Sequence, residues 1–364
     1  MTGNPTSQLR HQHNVHLADV HPRPAIFDSF ERARHRQAHW LIECLAEMFG
    51  VFCYCYAGIG ATAAYVVGNI LKLGLGSVLT VGLAYGIGIV VAVVVCTATS
   101  GGHFSPAVTL VHIIFNKFPV AKGVRYVIAQ ILGGFIASWF VYWQWNTLIK
   151  DAEAALKVAG LYEAENFSSL GPAGIFALYA NPAAPLGQVF LNEFVSDIFI
   201  GIVIAACLDP TNFFAPPVAV PWIVGMTYAT AIWGFSSNGL VLNTARDLGG
   251  RLVAIAIWGT KASGGRYAAI AALTNIIATV LAFAFYEIVL KDSSRVLTSA
   301  GKEFYEGRAA HMKHRDTTSI MLLYDTVQAQ MLRRRVLMML MWNIWRRSEC
   351  VSFSLHSSEE TCNK

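Results

Sequence analysis

Apolar residues gather in six runs, at 41–66, 76–98, 124–149, 187–208, 218–236 and 266–290. Each is long enough to cross a bilayer at ~20 residues per spanning helix. Two further apolar segments, 106–116 and 244–258, are too short to cross. Unbroken hydrophobicity over such lengths predicts helices rather than half-buried strands. The chain is therefore expected to be an all-α polytopic membrane protein.

The two short segments organise the rest. The first opens from Ser100-Gly101-Gly102-His103-Phe104-Ser105-Pro106-Ala107-Val108-Thr109, the second from Gly239-Leu240-Val241-Leu242-Asn243-Thr244-Ala245-Arg246-Asp247-Leu248-Gly249. In each, a loop ends in a small polar residue, Ser105 or Asn243. Pro106 or Thr244 follows, then Ala107 or Ala245, which is how a helix is capped and started. Non-helical backbone survives inside a bilayer only where protein or a water-filled cavity satisfies its polar groups, so two such breaks in corresponding places point to a pathway.

The halves repeat. The first span carries Glu47 and the fourth Glu193, each preceding its loop by a similar interval. A three-span half repeated in tandem inserts its copies in opposite orientations. The expected fold is six transmembrane helices plus two re-entrant half-helices in an inverted repeat, the half-helices meeting near the midplane. A carboxylate inside an apolar helix is costly and marks a function or a partner; here the matched positions predict that Glu47 and Glu193 support the loop backbones. Gln130 and Asn275, at comparable places in the third and sixth spans, read as helix-to-helix hydrogen bonders. Gly58 and Gly60, Gly82 and Gly86, and Gly133 and Gly134 read as close-packing positions.

Composition sharpens this picture. Hydrophobic residues make up 55% of the 364 and charged residues only 13%, far less charge than an ordinary soluble domain carries. Of 27 basic residues, Arg10, Arg23, Arg32, Arg34 and Arg36 precede the first span and twelve follow residue 290. Lys117, Lys122 and Arg125 lie between the second and third spans. This excess places both termini in the cytoplasm and the 150–186 connection outside. The net charge of +5 reports topology, and no nucleic-acid partner follows from it.

Three parts result: a disordered N-terminal tail over 1–39, a membrane domain over 40–290 and a C-terminal tail over 291–364. The first tail holds His11, His13, His16, His21, His35 and His39 and reads as polar low-complexity sequence, or as a metal- or pH-responsive segment. With no cleavable leader pattern ahead of it, the first span is expected to serve as the insertion signal. The second tail holds Arg333-Arg334-Arg335 and a ten-residue apolar run over 336–345, which suits a membrane surface or a partner, or else a plain tail. Cys44, Cys53, Cys55, Cys96 and Cys207 lie in or beside apolar runs and read as buried free thiols. No metal site, cofactor site or catalytic group of nucleophile, base and orienter emerges, so an enzyme is not expected.

Together the paired loops, the Glu pair and the Ala245-Arg246-Asp247 run resemble the major intrinsic protein family, the aquaporins and aquaglyceroporins, over about 40–290. That family's loops read Asn-Pro-Ala; this chain departs with Ser105-Pro106-Ala107 and Asn243-Thr244-Ala245. Asp247, directly after Arg246, resembles the glycerol-conducting branch. The runs 206–212 and 270–275 resemble fungal members of it.

The resemblance implies one pore per subunit, a homotetramer in the plasma membrane, and no cofactor. It implies a constriction formed by Tyr85, Ala231, Leu240 and Arg246, where Ala231 leaves room and Arg246 supplies donors for hydroxyls against an apolar face. Passive conduction of glycerol or similar small uncharged solutes, with some water, is the function implied. A non-conducting relative acting as a membrane adaptor or sensor is the rival. A hydroxyl has one donor against an amide's two and a shorter reach, so Ser105 is expected to cap its helix while altering proton and cation exclusion. His103 reads as either a packed histidine or a group titrating near neutral pH, and Asp247 as a further loop support.

Overall fold

Local chemistry sets where the helices begin and end. In a computed structural model, which describes residues 16–21, 23–314 and Met338, the second span starts at Ser77. The Ser77 hydroxyl accepts the Thr80 N–H at 3.3 Å and the Thr80 hydroxyl accepts the Ser77 N–H at 2.9 Å, a reciprocal cap that satisfies two otherwise orphaned donors. The span stops at Gly101, whose φ of +93° only glycine adopts without strain.

The larger unit, 38–305, holds α1 (His39–Ile70), α2 (Val78–Ser100), α3 (Pro106–Phe115), α4 (Val120–Val158), α5 (Leu186–Leu208), α6 (Val220–Phe235), α7 (Thr244–Trp258) and α8 (Tyr267–Phe285). Five helical stretches among the described residues are long and apolar enough to cross a membrane: α1, α2, α4, α5 and Thr260–Leu290, which contains α8. The sixth expected span, α6, has 16 residues, about 24 Å at 1.5 Å per residue; a 3₁₀ turn, Ser236–Asn238, follows it.

Packing follows the repeat. Helix α1 lies against α2 and α4, as α5 lies against α6 and α8. Half-helix α7 packs on α4 and half-helix α3 on α8, so each half supplies the wall for the other's loop. The halves touch where α2 meets α6. There a Cβ on Gly86 would stand 2.8 Å from the Gly225 carbonyl oxygen, so the backbones approach as only glycine permits.

Several limits differ from the sequence expectation. Helix α4 has 39 residues, because 150–158 is rich in good helix formers and buries Ala152 and Leu156. The larger unit runs past residue 290 to Tyr305, since the Thr298 N–H and hydroxyl both donate to the Pro210 carbonyl at 3.2 Å.

The N-terminal 1–39 segment is not wholly without structure. In a smaller unit formed by 1–37 and 306–364, Ala25–Ala33 is helical, started by Pro24 and supported by an Asp28–Arg32 pair at 3.0 Å, an i,i+4 arrangement. Of the histidines there, His16 stacks on His314 at 3.9 Å and His35 approaches Glu31 at 3.7 Å; His11 and His13 lie outside the described residues. In the larger unit His39 pairs with Glu43 at 3.3 Å. The 336–345 run is, apart from Met338, also outside the described residues.

Gly86→Val is expected to force α2 and α6 apart and destabilise the protein by about 1–3 kcal/mol, the usual cost of overpacking. Gly60→Ala, at a position with nothing within 4 Å of an added Cβ, should leave the melting temperature in detergent unchanged or raised; equal melting of the two variants would contradict the close crossing.

Candidate functional site

The site is built on two buried carboxylates. Glu47, fully buried on α1, accepts the His103 N–H at 2.9 Å and the Phe104 N–H at 2.7 Å. Its remaining capacity takes the Ser100 hydroxyl at 2.7 Å and the Gln130 amide at 2.8 Å. Glu193, fully buried on α5, accepts the Val241 N–H at 2.8 Å and the Leu242 N–H at 2.7 Å. Each carboxylate thus holds the two N–H groups just before a half-helix begins.

Those groups belong to strained backbone. Phe104 has φ +49° and Leu242 φ +60°, left-handed values that cost a residue with a Cβ roughly 1–2 kcal/mol. A left-handed residue at the end of each loop turns its carbonyl away from the direction of the half-helix that follows. The Phe104 carbonyl then accepts the Tyr54 hydroxyl at 3.1 Å and the Asn243 amide at 3.1 Å. The two loops are therefore bonded to each other across 139 residues of sequence.

The halves part company at their caps. The Asn243 side chain accepts the Ala245 N–H at 2.9 Å and the Arg246 N–H at 3.2 Å, leaving its amide free to reach Phe104. Ser105 makes no side-chain cap bond, contrary to the sequence expectation. Pro106 occupies the first helical position and has no N–H to offer. The repeat would place a second cross-loop donor at Ser105 aimed at the Leu242 carbonyl. That carbonyl instead accepts Asn275 from α8 at 2.9 Å, whose amide also donates to Asp197 at 2.8 Å. Thr244 replaces proline without loss of the helix start, its hydroxyl donating to the Ala272 carbonyl at 3.1 Å. Pro106, Ala107 and Ala245 are buried behind the loops.

A cavity of about 710 Å³ runs past both loops, lined among others by His103, Ser105, Asn243, Tyr85, Leu240 and Arg246. Arg246 is buried and held at three points: its Nε donates to the Tyr85 hydroxyl at 2.9 Å, Nη1 to the Phe176 carbonyl at 2.6 Å and Nη2 to the Ile175 carbonyl at 3.3 Å. Guanidinium has five N–H donors, so two remain.

Ala231 does not line the cavity. It is fully buried in one cluster with Ile200, Leu240 and Leu242, while α6 presents Val220, Val224, Tyr228 and Ile232, with Trp233 and Gly234 at its end. The α6 face repeats every four residues, and position 231 falls off it.

Asp247 acts one step away from the loop. It holds Arg251 in a two-point ion pair at 2.6 and 3.0 Å, and Arg251 donates to the Leu178 and Ser263 carbonyls at 2.9 and 3.0 Å. Tyr179, beside it, donates to the Ala262 carbonyl at 2.9 Å; burial pushes this phenol above its ordinary range, which keeps it a donor. His103 lines the cavity, stacks on His112 with centroids 4.3 Å apart, and has Nδ1 3.2 Å from the Thr109 hydroxyl. Sequence reasoning missed Tyr54, Arg251, Tyr228 and the Ile175 and Phe176 carbonyls. The Arg251 signal was legible, since Asp247 and Arg251 stand four apart on a predicted helix. The carbonyls carry no sequence signal.

Comparison with known proteins agrees with this geometry. The family described as "Major intrinsic protein" matches residues 34–285. An aquaporin-3 of Laccaria bicolor is 52% identical over 304 residues, covering 83% of this chain and 92% of the relative. A glycerol uptake facilitator protein of Pseudomonas aeruginosa is 31% identical over 227 residues, covering 62% of this chain and 78% of its own. The solved aquaglyceroporin of Plasmodium falciparum shares the fold with a TM-score of 0.59 at 23% identity, covering 69% of this chain and 97% of that one. With two half-helices bonded loop to loop beside a lined cavity, and with these matches along most of its length, the chain belongs to the major intrinsic protein family and is a transmembrane channel.

Proposed function

We propose that the channel passes glycerol and similar small uncharged solutes, with some water, down their own gradients. The observation that carries this reading is the pairing of Tyr85 with Arg246 at 2.9 Å on the wall of a cavity that Leu240 also lines. The arrangement puts fixed donors beside an apolar face, which suits a carbon chain with hydroxyls along one edge. The name of the Pseudomonas relative, a glycerol uptake facilitator protein, supports the same solute class. Ala231 contributes by its size: it leaves the space that Leu240 occupies, so the constriction stays wide.

Ions are opposed by charge placement. Each half-helix directs its positive N-terminal end toward the meeting point of the loops, and Arg246 adds a full positive charge. Cations meet an unfavourable potential without any moving part. With Asn243 donating across the loops and Ser105 not, the exclusion of protons is weaker than a matched pair of amides would give.

The working unit on this reading is a homotetramer in the plasma membrane with both termini cytoplasmic, the pore lying within 40–290 and the tails, 1–39 and 291–364, outside it.

Stopped-flow measurements on vesicles carrying the full chain should give glycerol permeability well above that of empty vesicles; equality would favour a non-conducting adaptor or sensor. Ala231→His, which must push Leu240 into the cavity, is expected to cut glycerol permeability about ten-fold, on the 1–3 kcal/mol scale of forcing extra atoms into a packed site. Unchanged flux would show that the space left by Ala231 does not set the width at Leu240. Ser105→Asn should supply the second cross-loop donor and slow the proton leak reported by a trapped pH dye, with glycerol flux kept within about two-fold, less than one hydrogen bond's net worth; an unaltered leak would show that the cap asymmetry is silent.

A further inference from the structure

Three tyrosines around the cavity spend their hydroxyls on the protein. Tyr54 donates to the Phe104 carbonyl at 3.1 Å, Tyr85 accepts Arg246 at 2.9 Å, and Tyr179 donates to the Ala262 carbonyl at 2.9 Å. Tyr228 differs. It lines the cavity, yet its hydroxyl makes no hydrogen bond to any described residue. Nor is its oxygen sealed in the protein, as the unpartnered hydroxyl of Tyr267 is; it opens on the cavity.

Its position is central. The ring packs against the cluster that contains Tyr54 and Phe104 and also against the one that contains Leu240 and Leu242, so it stands between the two groups of residues that include the loops. The rest of the α6 wall is Val220, Val224, Ile232, Gly234 and Trp233, and the Trp233 indole N–H is already spent on the Leu79 carbonyl at 3.2 Å. A hydroxyl that enters without a partner loses its hydration uncompensated. On the loop side a solute meets the second hydrogen of the Asn243 amide, the Ser105 hydroxyl and the two spare Arg246 donors. On the α6 side, Tyr228 supplies the polar atom.

We propose that Tyr228 is a specificity-determining residue that binds one hydroxyl of a passing polyol from the α6 wall while the loops bind the others. Selection is then by hydroxyl number as well as by width: a triol satisfies both sides, and a diol of similar size gains nothing from the phenol. This inference rests on the solute reading given under Proposed function and adds a residue outside the constriction to it.

The test compares glycerol with propane-1,2-diol, which has one hydroxyl fewer on the same three carbons, in stopped-flow assays of vesicles carrying the full chain. Tyr228→Phe removes the oxygen and keeps the ring. Glycerol permeability should fall about five-fold, the worth of one net hydrogen bond of about 1 kcal/mol, with diol permeability within two-fold of the unsubstituted protein. The diol thereby serves as the control for folding and insertion. If both solutes permeate and their ratio is the same in the two proteins, or if both fall together, Tyr228 has no such role and the channel reading stands. Should the unsubstituted protein pass glycerol no faster than empty vesicles, the solute reading fails and this inference falls with it.

Discussion

Two carboxylates buried in apolar helices fix the geometry of everything that touches solute. Glu47 and Glu193 each bind a pair of backbone N–H groups in a loop that has left helical geometry at membrane depth. Without them, Phe104 and Leu242 would relax from left-handed backbone that a side chain resists. The carbonyl of Phe104 would then lose its bonds from Tyr54 and Asn243. The energetic logic runs one way: burying a carboxylate is expensive, and directed donors, four on Glu47 and two on Glu193, make it tolerable. Those same donors are the strained segments that have to be held.

The inverted repeat explains why this happens twice, and the deviations from it are informative. The Gln130 amide reaches Glu47 directly, whereas its counterpart Asn275 reaches Asp197 and the Leu242 carbonyl. Asn243 caps its half-helix and crosses to the other loop; Ser105 does neither. One cross-loop bond stands where two-fold repetition would place two. The second half has replaced the missing bond with a tie to α8, so the loops are anchored by different neighbours.

Much of this was legible in the residues. Hydrophobic runs located the spans, and the loop-then-small-polar-then-Ala pattern located both half-helices, because such residues favour a helix start even where, as at Ser105, the side chain forms no cap bond. The Glu pair stood out because carboxylates in such runs are rare. Less was legible wherever the partner is backbone: the Ile175 and Phe176 carbonyls that hold Arg246 belong to a connection whose side chains give no hint of it. The family resemblance put position 231 at the constriction, whereas the helical face brings Tyr228 to the cavity wall and leaves Ala231 behind it. Helix α4 outran its apolar stretch because Lys, Glu and Ala continue a helix beyond the membrane as readily as Leu does within it.

That overrun matters for the mouth of the channel. At 39 residues, α4 is about 58 Å long at 1.5 Å per residue, against ~30 Å of hydrocarbon. The short turn Pro172–Ile175, whose last carbonyl and the next one at Phe176 grip the Arg246 guanidinium, packs on α1 and α4. The rim that aims this cation is therefore braced by a rigid post, and the aperture inherits the stiffness of a helix rather than the looseness of a connecting strand of chain.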